Sequence, residues 1–266
     1  MHRKINSLQN PSIKKLLQLQ EKSRLRKKEG LFVVEGLREI ILAKNALFGF
    51  AEIFFCPELL NYQELSAAVG TTSAKIVEIS EEVYRKIAYR ESTEGVIAIA
   101  IPKTTELSDL KFTNPNPLIL VAEAPEKPGN IGALLRTADA ANLDAVLIAN
   151  PKTDLFNPNI IRSSVGCVFT NKIATGKTSE IISFLKQNNI CIYAAALQAS
   201  APYFEMDYSG ASAIVVGTED AGLSEEWLEN SEKNIIIPMQ GKIDSMNVSV
   251  AAGILIFEAK RQRNFQ

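Results

Sequence analysis

The sequence predicts an α/β protein made of two domains. Short runs of aliphatic residues, typical of buried strands, alternate with segments whose apolar residues recur at helical spacing. The chain has 266 residues, which is more than one average domain. The stretch from Pro102 to Pro117 is polar and lacks periodic apolar residues, which is typical of a linker. We therefore expect domains over residues 1–102 and 117–266, joined by a linker over 103–116.

The first domain is predicted to begin with a basic helix. Asn10 and Pro11 form a helix start, because asparagine caps free N–H groups and proline suits the first turn, and we expect the helix to end near Gly30. Beyond Gly30 the pattern predicts strands at 31–34, 51–55, 75–79 and 95–101, with helices at 36–46, 57–68 and 80–89. This alternation indicates a small α/β unit.

The second domain is predicted to contain a parallel sheet, because helices separate its strands. The expected strands are 118–123, 145–149, 190–196, 212–217 and 234–237, and the expected helices are 130–142, 158–165, 178–188, 223–230 and 248–262. In the last helix, Val250, Ile254, Leu255 and Phe257 recur at helical spacing, so this helix is predicted to be amphipathic.

Composition excludes several classes of function. The three cysteines are widely spaced and form no C-x-x-C pair, which argues against both a disulfide framework and a zinc site. The only histidine is His2, so a mechanism that needs an internal imidazole is excluded, and we expect no metal. No apolar run is long enough to span a bilayer, and the basic N-terminus lacks the apolar block of a secretory signal, so we expect a cytoplasmic protein with no membrane partner.

Positive charge is concentrated at the front of the chain. Residues 1–28 hold nine Lys or Arg against one acid, although the whole chain has a net charge of −1. One interpretation is a solvated helix face, and the other is a surface for nucleic acid, which the concentration of the charge favours. The residues predicted to contact RNA are Lys14, Lys15, Arg24, Arg26, Lys27, Lys28 and Arg38.

Three stretches of the second domain join a strand or loop to the start of a helix. They are PGNIGALLRTAD at 128–139, VGTEDAGLS at 216–224, and IIIPMQGKIDSMNVSVA at 235–251. A strand end that faces a helix start offers free backbone N–H and C=O groups to a ligand. Each stretch also has a local explanation, since Asn130, Ser245 and Asn247 can cap helices and Glu219 can be a surface acid.

The third stretch closely resembles a conserved motif of the SpoU (TrmH) family of S-adenosylmethionine-dependent RNA ribose methyltransferases. That motif reads approximately I-P-M-x-G-x-x-x-S-L-N-V-S-V-A, and this chain matches it from Ile237 with Met246 in place of leucine, a conservative exchange. The other two stretches resemble the two remaining family motifs, in the expected order.

The resemblance implies a SPOUT-type parallel-sheet domain whose C-terminal segment forms a trefoil knot. It also implies that the first domain is an RNA-binding unit with a fold shared by some ribosomal proteins, that the cofactor is S-adenosylmethionine, and that the protein is a homodimer. The implied catalytic residues are Asn130, Arg136, Glu219, Ser245 and Asn247. The implied cofactor-binding residues are Leu197, Gly217, Ile237, Met239 and Met246.

We therefore expect methyl transfer to a ribose 2′-hydroxyl of structured RNA, with 23S ribosomal RNA favoured by the additional RNA-binding domain. A guanidinium is effectively always protonated, so we expect Arg136 to orient the target and stabilise negative charge on oxygen, while the proton leaves late through phosphate, water or Glu219.

Three alternatives stay open. The first is a methyltransferase of transfer RNA, and the second is a catalytically silent protein that binds RNA or assists ribosome assembly. The third is a different α/β enzyme that binds a nucleotide cofactor. It is disfavoured because Thr175-Gly-Lys-Thr178 lacks the first P-loop glycine, Asn171 standing in its place, and no G-x-G-x-x-G occurs. We expect Thr175–Thr178 to be a helix start instead.

Overall fold

The computed structural model describes residues 3–89, 94–103, 106–198, 200–218 and 220–265. The chain forms two compact units: unit 1 is Met1–Lys103 with Asp154–Thr170, and unit 2 is Thr104–Thr153 with Asn171–Gln266. The predicted second domain, 117–266, includes residues 154–170, whereas in the structure this segment belongs to unit 1. The domain limits at 102 and 117 stay a prediction. None of the described helices has the length and apolar character needed to cross a membrane.

Strands and helices alternate through most of the chain, as predicted for an α/β fold. The strands are β1 (Arg3–Ile5), β2 (Phe32–Glu35), β3 (Gly49–Phe55), β4 (Lys75–Ile79), β5 (Val96–Ile101), β6 (Leu118–Glu123), β7 (Ala145–Ala149), β8 (Ile173–Gly176), β9 (Cys191–Ala195), β10 (Ala201–Pro202), β11 (Ser212–Val216) and β12 (Lys233–Ile236). The helices are α1 (Pro11–Glu21), α2 (Ser23–Glu29), α3 (Leu37–Asn45), α4 (Tyr62–Val69), α5 (Glu81–Ile87), α6 (Pro128–Ala140), α7 (Pro158–Ser163), α8 (Cys167–Thr170), α9 (Thr178–Gln187), α10 (Glu225–Asn230) and α11 (Val248–Gln262).

Unit 1 is built on a mixed sheet with the strand order β1-β4-β3-β5-β2. β4 pairs in parallel with β1 and β3, whereas β5 pairs antiparallel with β3 and β2. The apolar faces of α1 and α5 cover this sheet, with Leu16, Leu19 and Tyr84 fully buried against strand residues such as Phe54. Removing such side chains from water supplies the main stabilisation of the unit.

The predicted basic helix is two helices, because the chain is extended at Lys22 (φ −107°, ψ 103°). The break lets Arg26 of α2 turn back on the end of α1, where its Nη1 donates to the carbonyl oxygens of Leu19 (2.7 Å) and Gln20 (3.1 Å). The last carbonyls of a helix have no partner within the helix, so this contact satisfies them and explains why one continuous helix is not formed.

Unit 2 is built on a parallel sheet with the strand order β10-β12-β9-β11-β6-β7-β8. The central strands are apolar on both faces, which is typical of a parallel sheet covered by helices on both sides. Helices α9 and α10 contribute Ile181, Leu185 and the fully buried Trp227 to the core. The carboxyl ends of all these strands meet at one edge of the sheet.

Helix α11 packs against α6 and β11, and its buried face differs from the predicted stripe. The buried residues are Ala252, Leu255, Ile256, Ala259 and Lys260. Of the predicted stripe, Val250 and Phe257 are 53% and 43% exposed. The buried face therefore combines two alanines with Leu255, Ile256 and Lys260.

The C-terminal end of α11 is fixed to the loop before β11. The guanidinium of Arg263 donates to the carbonyl oxygens of Tyr208 (2.8 Å), Asn116 (2.5 Å) and Gly210. Burial lowers the pKa of this guanidinium. Gln262 extends the contact, accepting from the Tyr208 N–H at 2.8 Å and donating to the Met206 carbonyl at 2.9 Å. These bonds hold the loop 206–210 against the helix.

Candidate active site

Three adjacent parallel strands of unit 2 end beside one another. The ladders that join β12 to β9 and β9 to β11 end with the pairs Ile235–Ala195 and Val215–Ala194. Leu197, Gly217 and Ile237 follow these three strands by one or two residues, so the structure brings these predicted cofactor-binding residues to one edge. Leu197 is 56% exposed, which leaves an apolar side chain open to a ligand at this edge.

A closed turn follows β11, from Gly217 to Gly222. The N–H of Thr218 donates to the Gly222 carbonyl at 3.0 Å, and the Gly222 N–H donates back to the Thr218 carbonyl at 3.1 Å. A Cβ atom at Gly217 would lie 2.2 Å from the carbonyl carbon and oxygen of Gly222, so only glycine fits there. The predicted catalytic residue Glu219 comes directly after Thr218 in sequence and lies outside the described residues.

Asn130 and Asn247 are joined directly, although they are 117 positions apart in sequence. The Asn247 Nδ2 donates to the Asn130 Oδ1 at 3.1 Å. The expectation that Asn130 can cap α6 is wrong, because the helix begins at Pro128 and Lys127 is the N-cap residue. Asn247 does cap α11, since its Oδ1 accepts from the Ser249 N–H at 3.0 Å. The first and third motifs therefore meet in a side-chain hydrogen bond.

Arg136 is exposed and lies on α6, six residues beyond Asn130. Helix geometry separates the two by about 9 Å along the axis and by roughly 120° around it. They therefore occupy different faces of α6. Thr137, the residue after Arg136, faces α11, because a Cβ atom built on Gly253 would be 3.9 Å from the Cγ2 of Thr137.

The loop 237–247 between β12 and α11 carries the other predicted residues. Ile237, Met239 and Met246 are partly buried, so their apolar side chains are still accessible to a ligand. Ser245 is exposed, and its Oγ contacts the Asp244 Oδ1 at 3.2 Å. The loop thus presents apolar side chains and a hydroxyl between the strand end and Asn247.

Glu123 is a residue of this edge that sequence reasoning missed. It ends β6 and is only 7% exposed. Its Oε2 accepts from the Ser224 N–H at 2.8 Å, and its Oε1 accepts from the hydroxyls of Ser224 (2.8 Å) and Thr178 (2.9 Å). The sequence feature that could have identified Glu123 is its place as the acidic last residue of an otherwise apolar strand, since buried carboxylates are rare unless they are paired.

The seven basic residues predicted to contact RNA divide into two groups. Lys14, Arg24, Lys27, Lys28 and Arg38 are exposed, and Lys15 is partly exposed with its Nζ 3.4 Å from a carboxylate oxygen of Glu29. The prediction that Arg26 contacts RNA is wrong. Its side chain is 4% exposed, and its Nε donates to Asp154 at 2.6 Å, so this guanidinium is committed to the interior of unit 1.

Comparisons with known proteins cover both parts of the chain. The MRM3-like substrate binding domain matches residues 10–98. A Bacillus subtilis (strain 168) protein named 23S rRNA (guanosine(2553)-2′-O)-methyltransferase RlmP is 29% identical over 97% of this chain and 99% of its own.

Solved structures agree with these matches. A crystal structure described as an RNA 2′-O ribose methyltransferase aligns with a TM-score of 0.83 and 39% identity over 98% of this chain and 99% of that chain. An AdoMet-bound rRNA methyltransferase from Sinorhizobium meliloti aligns with a TM-score of 0.89 and 27% identity over 97% of both chains. Since the SpoU rRNA Methylase family also matches residues 117–257, more than half of the sequence, the chain belongs to that family.

Proposed function

We propose that this protein transfers a methyl group from S-adenosylmethionine to a ribose 2′-hydroxyl of 23S ribosomal RNA. The observation that carries the proposal is the hydrogen bond between Asn130 and Asn247, which joins the first and third motifs. Relatives named as 23S rRNA 2′-O-methyltransferases support the choice of RNA.

The residues at the strand ends fit an adenosyl group. Leu197, Ile237, Met239 and Met246 offer apolar side chains for the flat face of a purine, and they are accessible. Gly217 has no side chain, so a ligand can approach the backbone there. When bound, S-adenosylmethionine supplies an electrophilic methyl group on a sulfonium. The chain holds this group at the edge where Asn130 and Asn247 lie.

The remaining roles are assigned to polar side chains at that edge and to Arg136 on α6. Arg136 is exposed and carries a planar guanidinium, so it orients the target ribose and its phosphate and stabilises negative charge on the oxygen. Asn130 and Asn247 fix the starts of α6 and α11 relative to each other, and Ser245 supplies a hydroxyl. The hydroxyl proton leaves late, to phosphate, water or Glu219.

Unit 1 supplies the RNA surface in this proposal. Five of the side chains predicted to contact RNA are exposed, and each can neutralise one phosphate: Lys14, Arg24, Lys27, Lys28 and Arg38. Lys15 lies beside them. Arg26 has no part in this surface because of its buried bond to Asp154.

Two further features complete the proposal. The C-terminal segment forms a trefoil knot, a feature that rests on the resemblance to the SpoU family. The protein is a cytoplasmic homodimer. Val250 and Phe257 support the dimer, since these exposed apolar side chains share one face of α11 with Ile254.

Titration calorimetry with S-adenosylmethionine tests the proposal. We expect one cofactor to bind per chain, with affinity lost on Gly217→Ala. A folded wild-type protein that binds RNA without binding S-adenosylmethionine would contradict the proposal and favour the catalytically silent alternative.

A further inference from the structure

Glu123 forms a hub at the carboxyl edge of the unit 2 sheet. Its carboxylate accepts the N–H and the hydroxyl of Ser224 and the hydroxyl of Thr178. Thr178 in turn accepts from the Asn150 Nδ2 at 2.9 Å. One carboxylate therefore links the end of β6 to the residue after β7 and to the starts of α9 and α10.

The bonds to Ser224 fix the C-terminal end of the closed turn from Gly217 to Gly222. The N-terminal end of the turn follows β11 directly, and the two ends are joined by the paired hydrogen bonds of Thr218 and Gly222. Ser224 lies two residues after Gly222. The β6–β11 ladder, which ends at the pair Ala122–Val216, holds the start of the turn, and Glu123 adds a second tie to β6 at its other end.

The Ser224 side chain is oriented towards Glu123 rather than towards the first turn of α10. Ser224 is the N-cap residue of α10, where a serine side chain normally accepts from an N–H of the first turn. In the part of the chain that the structure describes, the Ser224 side chain makes no such capping bond and instead donates to Glu123. The Ser224 side chain therefore connects the turn to the Glu123 carboxylate instead of capping α10.

A buried carboxylate contributes less to the stability of the fold than its hydrogen bonds suggest. Removal of an ion from water is costly, and a well-packed apolar side chain often supports a fold equally well. A hydrogen-bonded carboxylate supplies direction, because two oxygens fix the angle at which their donors approach. Next to it, Ala124 has φ +44°, a left-handed conformation that is strained for alanine and that occurs preferentially at functional sites.

We propose that Glu123 is a positioning residue for the cofactor site. It holds the turn Gly217–Gly222 at the orientation in which the Gly217 backbone meets the adenosyl group. This inference rests on the proposed function, since it assumes that S-adenosylmethionine binds beside Gly217. Glu123 acts through Ser224 and does not itself contact the cofactor.

The test uses Glu123→Gln in the full-length protein. Glutamine has almost the same volume but is uncharged and has a single acceptor oxygen. If that oxygen accepts the Ser224 N–H, the hydroxyls of Ser224 and Thr178 must turn to accept from the NH₂ group, and the charge-assisted hydrogen bonds are lost. We expect the Kd and the KM for S-adenosylmethionine to rise roughly tenfold or more, as for a lost charge-assisted hydrogen bond. The KM for RNA should be unchanged, a split that a general loss of stability would not produce.

Two matched variants separate orientation from stability. Ser224→Ala removes one donor that belongs to the turn side, whereas Thr178→Val removes one donor to the same Oε1 from α9. We expect Ser224→Ala to weaken cofactor binding and Thr178→Val to leave it unchanged, although both lower the melting temperature. If Glu123→Gln does not fold, this pair alone decides the question.

Equal effects of Ser224→Ala and Thr178→Val on the cofactor Kd would overturn the inference, as would a folded Glu123→Gln variant with wild-type affinity. Failure of the proposed function gives a different result, because the wild-type protein itself would then not bind S-adenosylmethionine.

Discussion

At the scale of single residues, the candidate site depends on close approach of backbone and side chains. Gly217 lies against the carbonyl of Gly222, and Asn130 is bonded to Asn247. Such contacts tolerate little change, because the packed groups cannot move apart without breaking the hydrogen bonds of the turn. Single-residue variants can therefore separate a loss of backbone geometry at the turn from a loss of the side chains that act in methyl transfer.

Replacement of Gly217 by alanine should disrupt the turn. The new Cβ would meet the Gly222 carbonyl at 2.2 Å, so the turn must shift, with a loss of about 2 kcal/mol or more in the free energy of unfolding. Urea unfolding and cofactor titration measure both effects. The control is Gly210→Ala, since a Cβ at Gly210 meets nothing within 4 Å. Equal stability of the two variants would refute the close approach.

Replacement of Arg136 by lysine should slow methyl transfer without weakening cofactor binding. Lysine keeps the positive charge but loses the planar fork that binds two oxygens at once, so we expect the single-turnover rate to fall on the order of 10- to 100-fold. The rate is measured across pH, with the cofactor Kd as an internal control. A retained rate with a shifted pH profile would go against orientation by the guanidinium.

At the scale of elements, local pattern predicted those segments that carry their own signals. Strands β4, β6 and β7 and helix α11 have the predicted bounds, because each combines a clear apolar pattern with recognisable ends. Strands β1 and β10 were not predicted. They have three and two residues, and their pairing with β4 and β12 comes from distant parts of the chain.

Strand β8 shows how an element can be misassigned. Thr175–Thr178 was expected to be a helix start, whereas Thr175 and Gly176 end β8 and α9 begins at Thr178. β8 lies at the edge of the sheet and pairs only with β7 among the described strands, so its sequence needs little apolar character.

The sequence motifs singled out Asn130 and Asn247, which the structure joins by a hydrogen bond, and their roles in a site stay a prediction. Glu123 was not predictable from its neighbours, because its partners Thr178 and Ser224 are 55 and 101 positions away. Arg26 was misassigned for the same reason, since its partner Asp154 is 128 positions away.

Helix α2 offers a test in which adjacent basic residues have different roles. Arg26→Gln leaves Asp154, which is 10% exposed, without its cation, and we expect a loss of about 3 kcal/mol in stability. Lys27→Gln is the matched change at an exposed position and should leave stability unchanged while lowering RNA affinity. The slope of log K against log salt should become shallower by roughly 0.7–0.9 for Lys27→Gln.

Chemical denaturation and RNA binding at several salt concentrations measure these two effects. Loss of stability in Lys27→Gln, or a wild-type stability of Arg26→Gln, would reverse the assignment of the two residues.

At the scale of the whole molecule, two surfaces carry the proposed interactions. The basic residues of α1 and α2 concentrate positive charge in a chain whose net charge is −1, so attraction to RNA is local and depends on salt. The exposed apolar face of α11 is suited to a second copy of the chain.

Replacement of Phe257 by glutamate should dissociate the proposed dimer. A charged group at the centre of an apolar contact must be desolvated without a partner, so the dimer is strongly disfavoured. Sedimentation velocity measures the state, with Leu47→Glu as a control, since Leu47 is 82% exposed and lies in unit 1. A wild-type protein that is monomeric at micromolar concentration would disprove the dimer.

The most direct test of the central claim is methylation of 23S ribosomal RNA in vitro. Purified protein, S-adenosylmethionine and unmodified 23S ribosomal RNA are incubated, and 2′-O-methyl groups are mapped by resistance of the backbone to alkali. We predict protection at a single nucleotide, with none when Arg136 or Asn247 is replaced by alanine. Methyl groups on base atoms only, or equal protection by these variants, would contradict the assignment of the site.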